Sequence, residues 1–247
     1  MHRVAGDYQS AADCYQQALE LFRDLGARRG EAGTLSLLSC VQQETGDYRA
    51  AAASARQALE LFGDLCDRYR QAWTLVRLGD VQTRTGDYPA ATASLQQARA
   101  LSRELGDRNL QAWLPNQLGV LHRLTGDYQA AAASHRQALS LMRDAGEPYG
   151  QAYVLNSLGE LASRTSATRQ ARDHHSQALV IARQIGAPPE EARALEGTGR
   201  SHLQDGHHDE GIAFLRQALA IYQCIEAPAA GRVHDTLASQ GRLPDTI

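Results

Sequence analysis

The stretch "TGDYRAAAASARQALELFGDL" at residues 45–65 decides the fold, because the chain repeats it. Forty residues later, residues 85–105 read "TGDYPAATASLQQARALSREL", and residues 125–145 read "TGDYQAAAASHRQALSLMRDA". A Gln-Ala pair recurs in the same phase, beginning at Gln17, Gln57, Gln97, Gln137, Gln177 and Gln217. Repetition at a fixed period, with no insertion or loss, indicates a linear array of similar structural units.

Each forty-residue unit contains two helical segments. Asp87 is suited to cap a helix through its carboxylate, and Gly86 is suited to end the preceding helix in the left-handed conformation. The apolar residues of 91–101 then fall on one stripe of an amphipathic helix. A second helix is predicted to follow Asp107. With about 17 residues per helix and links of two to four residues, neighbouring helices must run antiparallel.

A glycine recurs inside the second helix of successive units, at Gly79, Gly119, Gly159 and Gly199. Glycine within a helix costs about 1 kcal/mol relative to alanine. Its repeated presence therefore predicts that another helix packs closely against each of these positions.

The order Leu-Gly, Thr-Gly-Asp-Tyr, Gln-Ala-Leu, with small residues at Gly79, Ala91 and Ala98, resembles the tetratricopeptide repeat. The forty-residue period is similar to the long-helix variant of kinesin light chains and of sensor regions in bacterial signal-transduction ATPases and transcriptional regulators. The resemblance implies an all-α, right-handed α-solenoid (superhelix) of antiparallel helix pairs, with about six repeats. It also implies that the helices carrying the Leu-Gly step line a concave groove.

The ends of the chain suggest where the array starts and stops. We expect a single solenoid over 1–247, in which residues 1–5 match the register of residues 121–125 and so belong to a truncated first repeat. Helix 8–25 would then have an uncovered flank, as expected for part of a longer protein. Residues 227–241 are predicted to form a closing helix, and 242–247 a tail.

Composition excludes several classes of partner. The net charge is −3 and all 25 basic residues are arginines scattered along the chain, so no basic field favours nucleic acid. No signal peptide or long apolar run is visible, which predicts a cytoplasmic protein without a membrane partner. The four cysteines lie far apart and are expected to be reduced.

No pattern predicts catalysis, a cofactor or a metal. Phosphate-binding loops, nucleophile elbows and zinc-binding helices leave characteristic spacings that this sequence lacks. The adjacent pairs His174-His175 and His207-His208 would point about 100° apart on a helix, which does not suit one ion. His135 and His175 share a register in successive repeats, which indicates a semi-buried stacking position.

The Leu-Gly helices carry the best candidates for binding. Trp73, Trp113 and Tyr153 share one register, opposite an apolar stripe such as Leu75, Leu78 and Val81. Large flat side chains among amides and charges suit a peptide ligand. The candidate groove residues are Trp73, Arg77, Asp80, Trp113, Asn116, Gln117, Arg123, Tyr153, Asn156, Glu160, Arg193 and Arg200. The aromatic rings could instead fill the space between repeats, and the two roles are compatible.

The sequence therefore predicts a non-catalytic protein-protein interaction scaffold that binds a peptide or partner protein in its groove. One alternative is a ligand-sensing regulatory module of a larger signal-transduction ATPase or transcriptional regulator. Another is homotypic assembly through the uncovered N-terminal helix. Pro115, inside a helix beside Trp113, is predicted to kink the axis at that point.

Overall fold

A computed structural model describes residues 8–240, and within them the chain is a series of α-helices with no strand. The helices are α1 (Tyr8–Asp24), α2 (Arg28–Glu44), α3 (Tyr48–Asp64), α4 (Arg68–Arg84), α5 (Tyr88–Leu105), α6 (Arg108–Leu124), α7 (Tyr128–Asp144), α8 (Pro148–Arg164), α9 (Thr168–Ile185), α10 (Pro188–Gln204), α11 (His208–Cys224) and α12 (Ala229–Ser239). The predicted all-helical solenoid of antiparallel pairs is confirmed.

The helix boundaries follow from the predicted turn chemistry. The Asp87 carboxylate accepts a hydrogen bond from the Ala90 amide at 3.2 Å, and Asp107 accepts from the Leu110 amide at 3.1 Å. Gly86 lies at φ +81°, a conformation that residues with a Cβ seldom adopt. The cap therefore starts one helix within a residue of the glycine that ends the helix before it.

The described residues form two compact units, an N-terminal unit up to Asp127 and a C-terminal unit from Tyr128. Each helix contacts the next along the chain within its unit. In addition, α4 contacts both α2 and α6, and α10 contacts α8. The even-numbered helices therefore pack side by side, and their exposed side is called here the even-helix face.

The apolar stripes meet between the helices of each unit. In the N-terminal unit, Ala91, Leu95 and Ala98 of α5 have no accessible surface and pack against Leu75 of α4 and Leu110 of α6. In the C-terminal unit, the core is built from α10, α11 and α12. Alanine is common at these positions because small side chains let helices approach closely.

The glycines inside the even helices are packing contacts, as predicted. A Cβ on Gly79 would lie 2.8 Å from Leu95 Cγ, and a Cβ on Gly199 would lie 2.8 Å from the Gly211 carbonyl oxygen of α11. At Gly159 a Cβ would collide with the His175 ring. Each glycine thus leaves room for the helix that follows it in the chain.

Some local features differ from the expectation. The closing helix spans Ala229–Ser239, because Pro228 precedes its first residue and the chain turns at Gln240. Helix α6 continues through Pro115, which is buried. Cys66 and Ser166 occupy the left-handed region at φ 53° and 57°, where other turns of the array have glycine. The truncated repeat at 1–5, residue 241 and the tail at 242–247 lie outside the described residues.

Candidate functional site

Trp73 is a half-buried ring on the even-helix face. Its indole Nε1 donates a hydrogen bond to Asp107 Oδ2 at 3.2 Å, and its ring packs against the apolar cluster that holds Leu75 and Val76. Asp107 also caps α6, so one carboxylate fixes both the helix start and the ring. Trp73 therefore packs between repeats and still presents part of its surface.

The polar candidates of α4 bind the neighbouring α2. Arg77 Nη1 donates to the Ser36 carbonyl oxygen at 2.9 Å and lies 3.3 Å from Ser36 Oγ. Asp80 is buried and accepts hydrogen bonds from Gln43 and, at 3.1 Å, from Arg84 Nε. Asp80 is thus an internal link between two helices, whereas Arg77 stays half-exposed.

The α6 candidates differ in exposure. Trp113, Gln117 and Arg123 are half-buried, whereas Asn116 has no accessible surface. The prediction that Asn116 lines a groove is therefore wrong. Its neighbours in the helix cover it, because a side chain three residues from Trp113 lies nearer the adjacent helix than the solvent.

In the C-terminal unit, Arg193 joins α10 to α8. Its Nε donates to Glu160 Oε1 at 2.6 Å, and its Nη2 donates to Ser157 Oγ at 3.1 Å. The guanidinium also lies 4.8 Å from the centre of the Tyr153 ring, a cation–π distance. Tyr153, Glu160 and Arg193 are therefore brought together, but by binding one another.

Asn156 is fully buried and does not line a groove, contrary to the prediction. Its Nδ2 donates to Glu190 Oε2 at 2.9 Å, and its Oδ1 lies 3.1 Å from His175 Nδ1. His175 is enclosed between Gly159 and Gly197. Burial lowers the pKa of His175 from 6.5 to about 4, so the ring is neutral near pH 7.

His135, at the equivalent position of α7, is also fully buried. Both histidines are therefore packed more deeply than the semi-buried position that the sequence predicted.

A second buried carboxylate joins α10 to α12. Glu196 accepts from Arg232 Nε at 3.0 Å and Nη2 at 2.8 Å, and from Arg200 Nε at 3.0 Å. The Tyr222 hydroxyl donates to it at 3.1 Å, and burial together with this carboxylate raises the pKa of Tyr222. Arg200, another candidate, therefore serves an interhelical ion pair.

The N-terminal unit contains an open cleft of about 620 Å³ on its even-helix face. It lies between α2 and α4, and the ends of α1 and α3 close its floor. It is lined by Phe22, Arg29, Gly30, Gly33, Thr34, Ser36, Leu37, Phe62, Tyr69, Arg70, Trp73, Thr74 and Arg77, a set called here the N-terminal cleft. None of its described lining residues is acidic, so its charge is positive.

The sequence reasoning found Trp73 and Arg77 of this cleft but missed the residues one turn earlier. Arg29, Tyr69 and Arg70 lie at the start of their helices, outside the stripe that was followed from Trp73. A usable signal existed, since arginine occurs at these registers in these two repeats and in no other.

The described residues contain no group of three or more His, Cys, Asp or Glu side chains that could hold a metal ion. Within the same residues, no helix combines the length and apolar character needed to span a bilayer. The side chains therefore suit recognition by shape, aromatic contact and charge.

Comparison with known proteins agrees with the helical geometry. The family model described as "Tetratricopeptide repeat" matches residues 1–64, 70–144 and 150–223. No curated protein sequence is detectably similar to this chain.

Several solved structures share the fold. NprR in complex with its cognate peptide NprX matches with a TM-score of 0.75 at 12% identity, over 91% of this chain and 66% of that one. A Rap protein complexed with competence and sporulation factor matches with a TM-score of 0.72 at 14% identity, over 94% and 70%. A signal-transduction ATPase with a tetratricopeptide repeat sensor from Pyrococcus horikoshii matches with a TM-score of 0.68 at 15% identity, over 91% of this chain and 33% of that one. This chain thus spans a third of the length of the ATPase.

Proposed function

We propose that this chain, which belongs to the tetratricopeptide repeat family, is a non-catalytic scaffold that binds a peptide or partner protein on its even-helix face. The fold alone does not assign this role, since one fold serves many functions. Support comes from the side chains of that face and from two relatives in fold that are complexed with a peptide or a signalling factor.

The observation that carries the proposal is the contrast between the two units. In the C-terminal unit, Arg193, Glu160 and Glu196 are occupied by ion pairs between adjacent even helices. In the N-terminal unit the same face opens into the N-terminal cleft, where Trp73 and Leu37 contribute accessible apolar surface. A ligand can therefore enter the N-terminal unit without first breaking an internal ion pair.

A displayed library of random peptides, selected on the immobilised chain, tests the proposal. The informative variant is Leu37→Glu, because Leu37 is 45% exposed on α2 and lines the cleft. Its matched control is Leu21→Glu, since Leu21 is 62% exposed on the odd-numbered α1 of the same unit. We expect selected peptides to bind the chain and the Leu21→Glu control alike, and to lose at least tenfold in affinity for Leu37→Glu.

Two results would refute the proposal. One is a selection that yields no binding peptide. The other is a set of peptides that bind both variants equally well, which would place recognition away from the N-terminal cleft. Circular dichroism on each variant separates lost binding from lost folding.

Self-association is a second candidate function, and the surface of α1 favours it. Leu21 and Leu25 are 62% and 76% exposed, which is unusual for leucines only one turn apart. If α1 pairs with a second copy, the mass in sedimentation equilibrium should rise with concentration, and Leu21→Glu should keep the chain monomeric. A constant monomer mass for the unmodified chain would exclude this function.

A ligand-sensing module of a larger regulator would use the same cleft. It differs in its consequence, because binding would change the activity of an attached domain. That alternative stays a prediction.

A further inference from the structure

The N-terminal cleft contains a gap in a ladder of large side chains. Successive even helices carry Gly33, Trp73, Trp113, Tyr153 and Arg193 in one register. Gly33 is the member without a side chain, and a Cβ added there would meet nothing within 4 Å. The gap is therefore open space beside the Trp73 side of the cleft, and not a close approach of two helices.

The C-terminal unit demonstrates how this register looks when it is filled. There the Arg193 guanidinium covers the Tyr153 ring at 4.8 Å and binds the Glu160 carboxylate at 2.6 Å. One helix supplies the ring, the next helix covers it, and a carboxylate balances the cation. The N-terminal cleft has the ring of Trp73 and the cations, but its described lining has neither the cover nor the carboxylate.

The cations of the cleft are available for an anion. No described carboxylate forms an ion pair with Arg29 or Arg77, and Arg70 lies 3.6 Å from Asp67. Arg77 is held in place through one nitrogen by the Ser36 carbonyl, which leaves its other guanidinium donors directed away from that bond. A fixed guanidinium loses little freedom when it binds a carboxylate.

We infer that the N-terminal cleft binds a peptide segment in which an acidic side chain lies next to a large apolar side chain. The apolar side chain fills the space above Gly33 and packs on Trp73 and Tyr69, while the carboxylate binds Arg77 and Arg29. This inference rests on the proposed function and specifies its ligand.

The size and charge of the cleft favour this occupant over a nucleic acid. A volume of about 620 Å³ lies within the range of about 300–1,000 Å³ for small-ligand sites and suits a few side chains. Nucleic acid needs a row of cations along its backbone, whereas this chain carries a net charge of −3. The three arginines of the cleft are enough for one acidic segment.

The test uses short peptides with both termini capped, so that the only carboxylate is that of a side chain. The first has adjacent Leu and Glu in a Gly-Ser background, the second has Gln for Glu, and the third has Ala for Leu. Trp73 and Trp113 are the only tryptophans. Fluorescence of a Trp113→Phe chain therefore reports on Trp73, and calorimetry on the unmodified chain checks the affinity.

We expect the Leu-Glu peptide to bind, and the Gln and Ala peptides to bind at least about tenfold more weakly, because each lacks one of the two contacts. Arg77→Gln should weaken the Leu-Glu peptide by a similar factor. Arg56→Gln is the matched control, an equal charge change on the exposed outer surface of α3. Gly33→Trp should abolish binding by filling the gap.

Several outcomes overturn the inference. Equal affinity for the Glu and Gln peptides, or equal losses for Arg77→Gln and Arg56→Gln, would remove the role of the arginines. Tighter binding of an uncapped peptide without acidic side chains would assign the site to a chain terminus, and tighter binding of a single-stranded oligonucleotide would assign it to phosphates.

The proposed function and this inference fail in different ways. Library peptides that need Leu37 but carry no acidic residue leave the proposed function intact and overturn the inference. An absence of any peptide that depends on Leu37 removes both.

Discussion

The same substitution, glycine to alanine, is expected to have opposite effects at two positions of the even helices. Gly33 of α2 and Gly199 of α10 are both inside helices, so alanine gains about 1 kcal/mol of helix propensity at either site. At Gly33 the new methyl group meets open space. Gly33→Ala should therefore raise the free energy of unfolding by up to about 1 kcal/mol.

At Gly199 the methyl group would lie 2.8 Å from the Gly211 carbonyl oxygen and 3.2 Å from the Leu215 amide nitrogen. Both are backbone atoms of α11, so no side-chain rotation relieves the contact and the two helices must separate. Overpacking of this kind costs about 1–3 kcal/mol. The propensity gain is common to both variants, so Gly199→Ala should be less stable than Gly33→Ala by about 1–3 kcal/mol.

Thermal and urea unfolding followed by circular dichroism measure this difference. For a chain of this length, 1 kcal/mol corresponds to about 2–4 °C in Tm. Repeat arrays can unfold in parts, so hydrogen exchange at the amides of α2 and α10 should accompany the global measurement. A Gly199→Ala variant as stable as Gly33→Ala would refute the claim that backbone proximity explains the conserved register of glycines within this chain.

Two further predictions concern a buried ring and a strained turn. Because the folded pKa of His175 is about 4 and its ordinary value is 6.5, the unfolded chain binds more protons between these pH values. Stability should therefore fall on acidification through that window, by up to about 3 kcal/mol more than in His175→Gln, as urea titrations at each pH would measure; parallel pH profiles would contradict this. Cys66→Gly should gain about 1 kcal/mol by relieving a φ of 53°, whereas Cys14→Gly, within helix α1, should lose about 1 kcal/mol in the same unfolding assay. Losses of equal size at both cysteines would show that the turn is not strained.

The fold could be predicted from the sequence because its determinants are local and repeated. Asp87 caps a helix and Gly86 ends one through bonds that span only a few residues, and the phase repeats both signals. The glycine at 79 announced a close contact without naming its partner. The partner, Leu95, follows from the antiparallel pairing that the short links require.

The site was harder to predict because it depends on which side chains neighbouring helices take from one another. Asn116 and Asn156 share a face with the aromatic ladder, yet lateral packing of the even helices buries both. Glu190 was not singled out, since its importance comes from Asn156, which lies 34 residues away in sequence and 2.9 Å away in space. Periodicity assigns a residue to a face, but it does not report the distance between two helices.

The position of the open cleft follows from the same competition between helices for polar groups. Where α10 carries an acid and an arginine on its inner side, Glu190 and Arg193, the neighbouring α8 supplies partners and the face closes. Where α4 carries Arg70 and Arg77 opposite Gly33, the neighbouring α2 supplies a carbonyl and empty space, and the face stays open. A few substitutions within one repeated helix pair therefore convert an internal ion-pair network into a cationic, aromatic cleft, and this is how an array of similar units can place its binding site in only one of them.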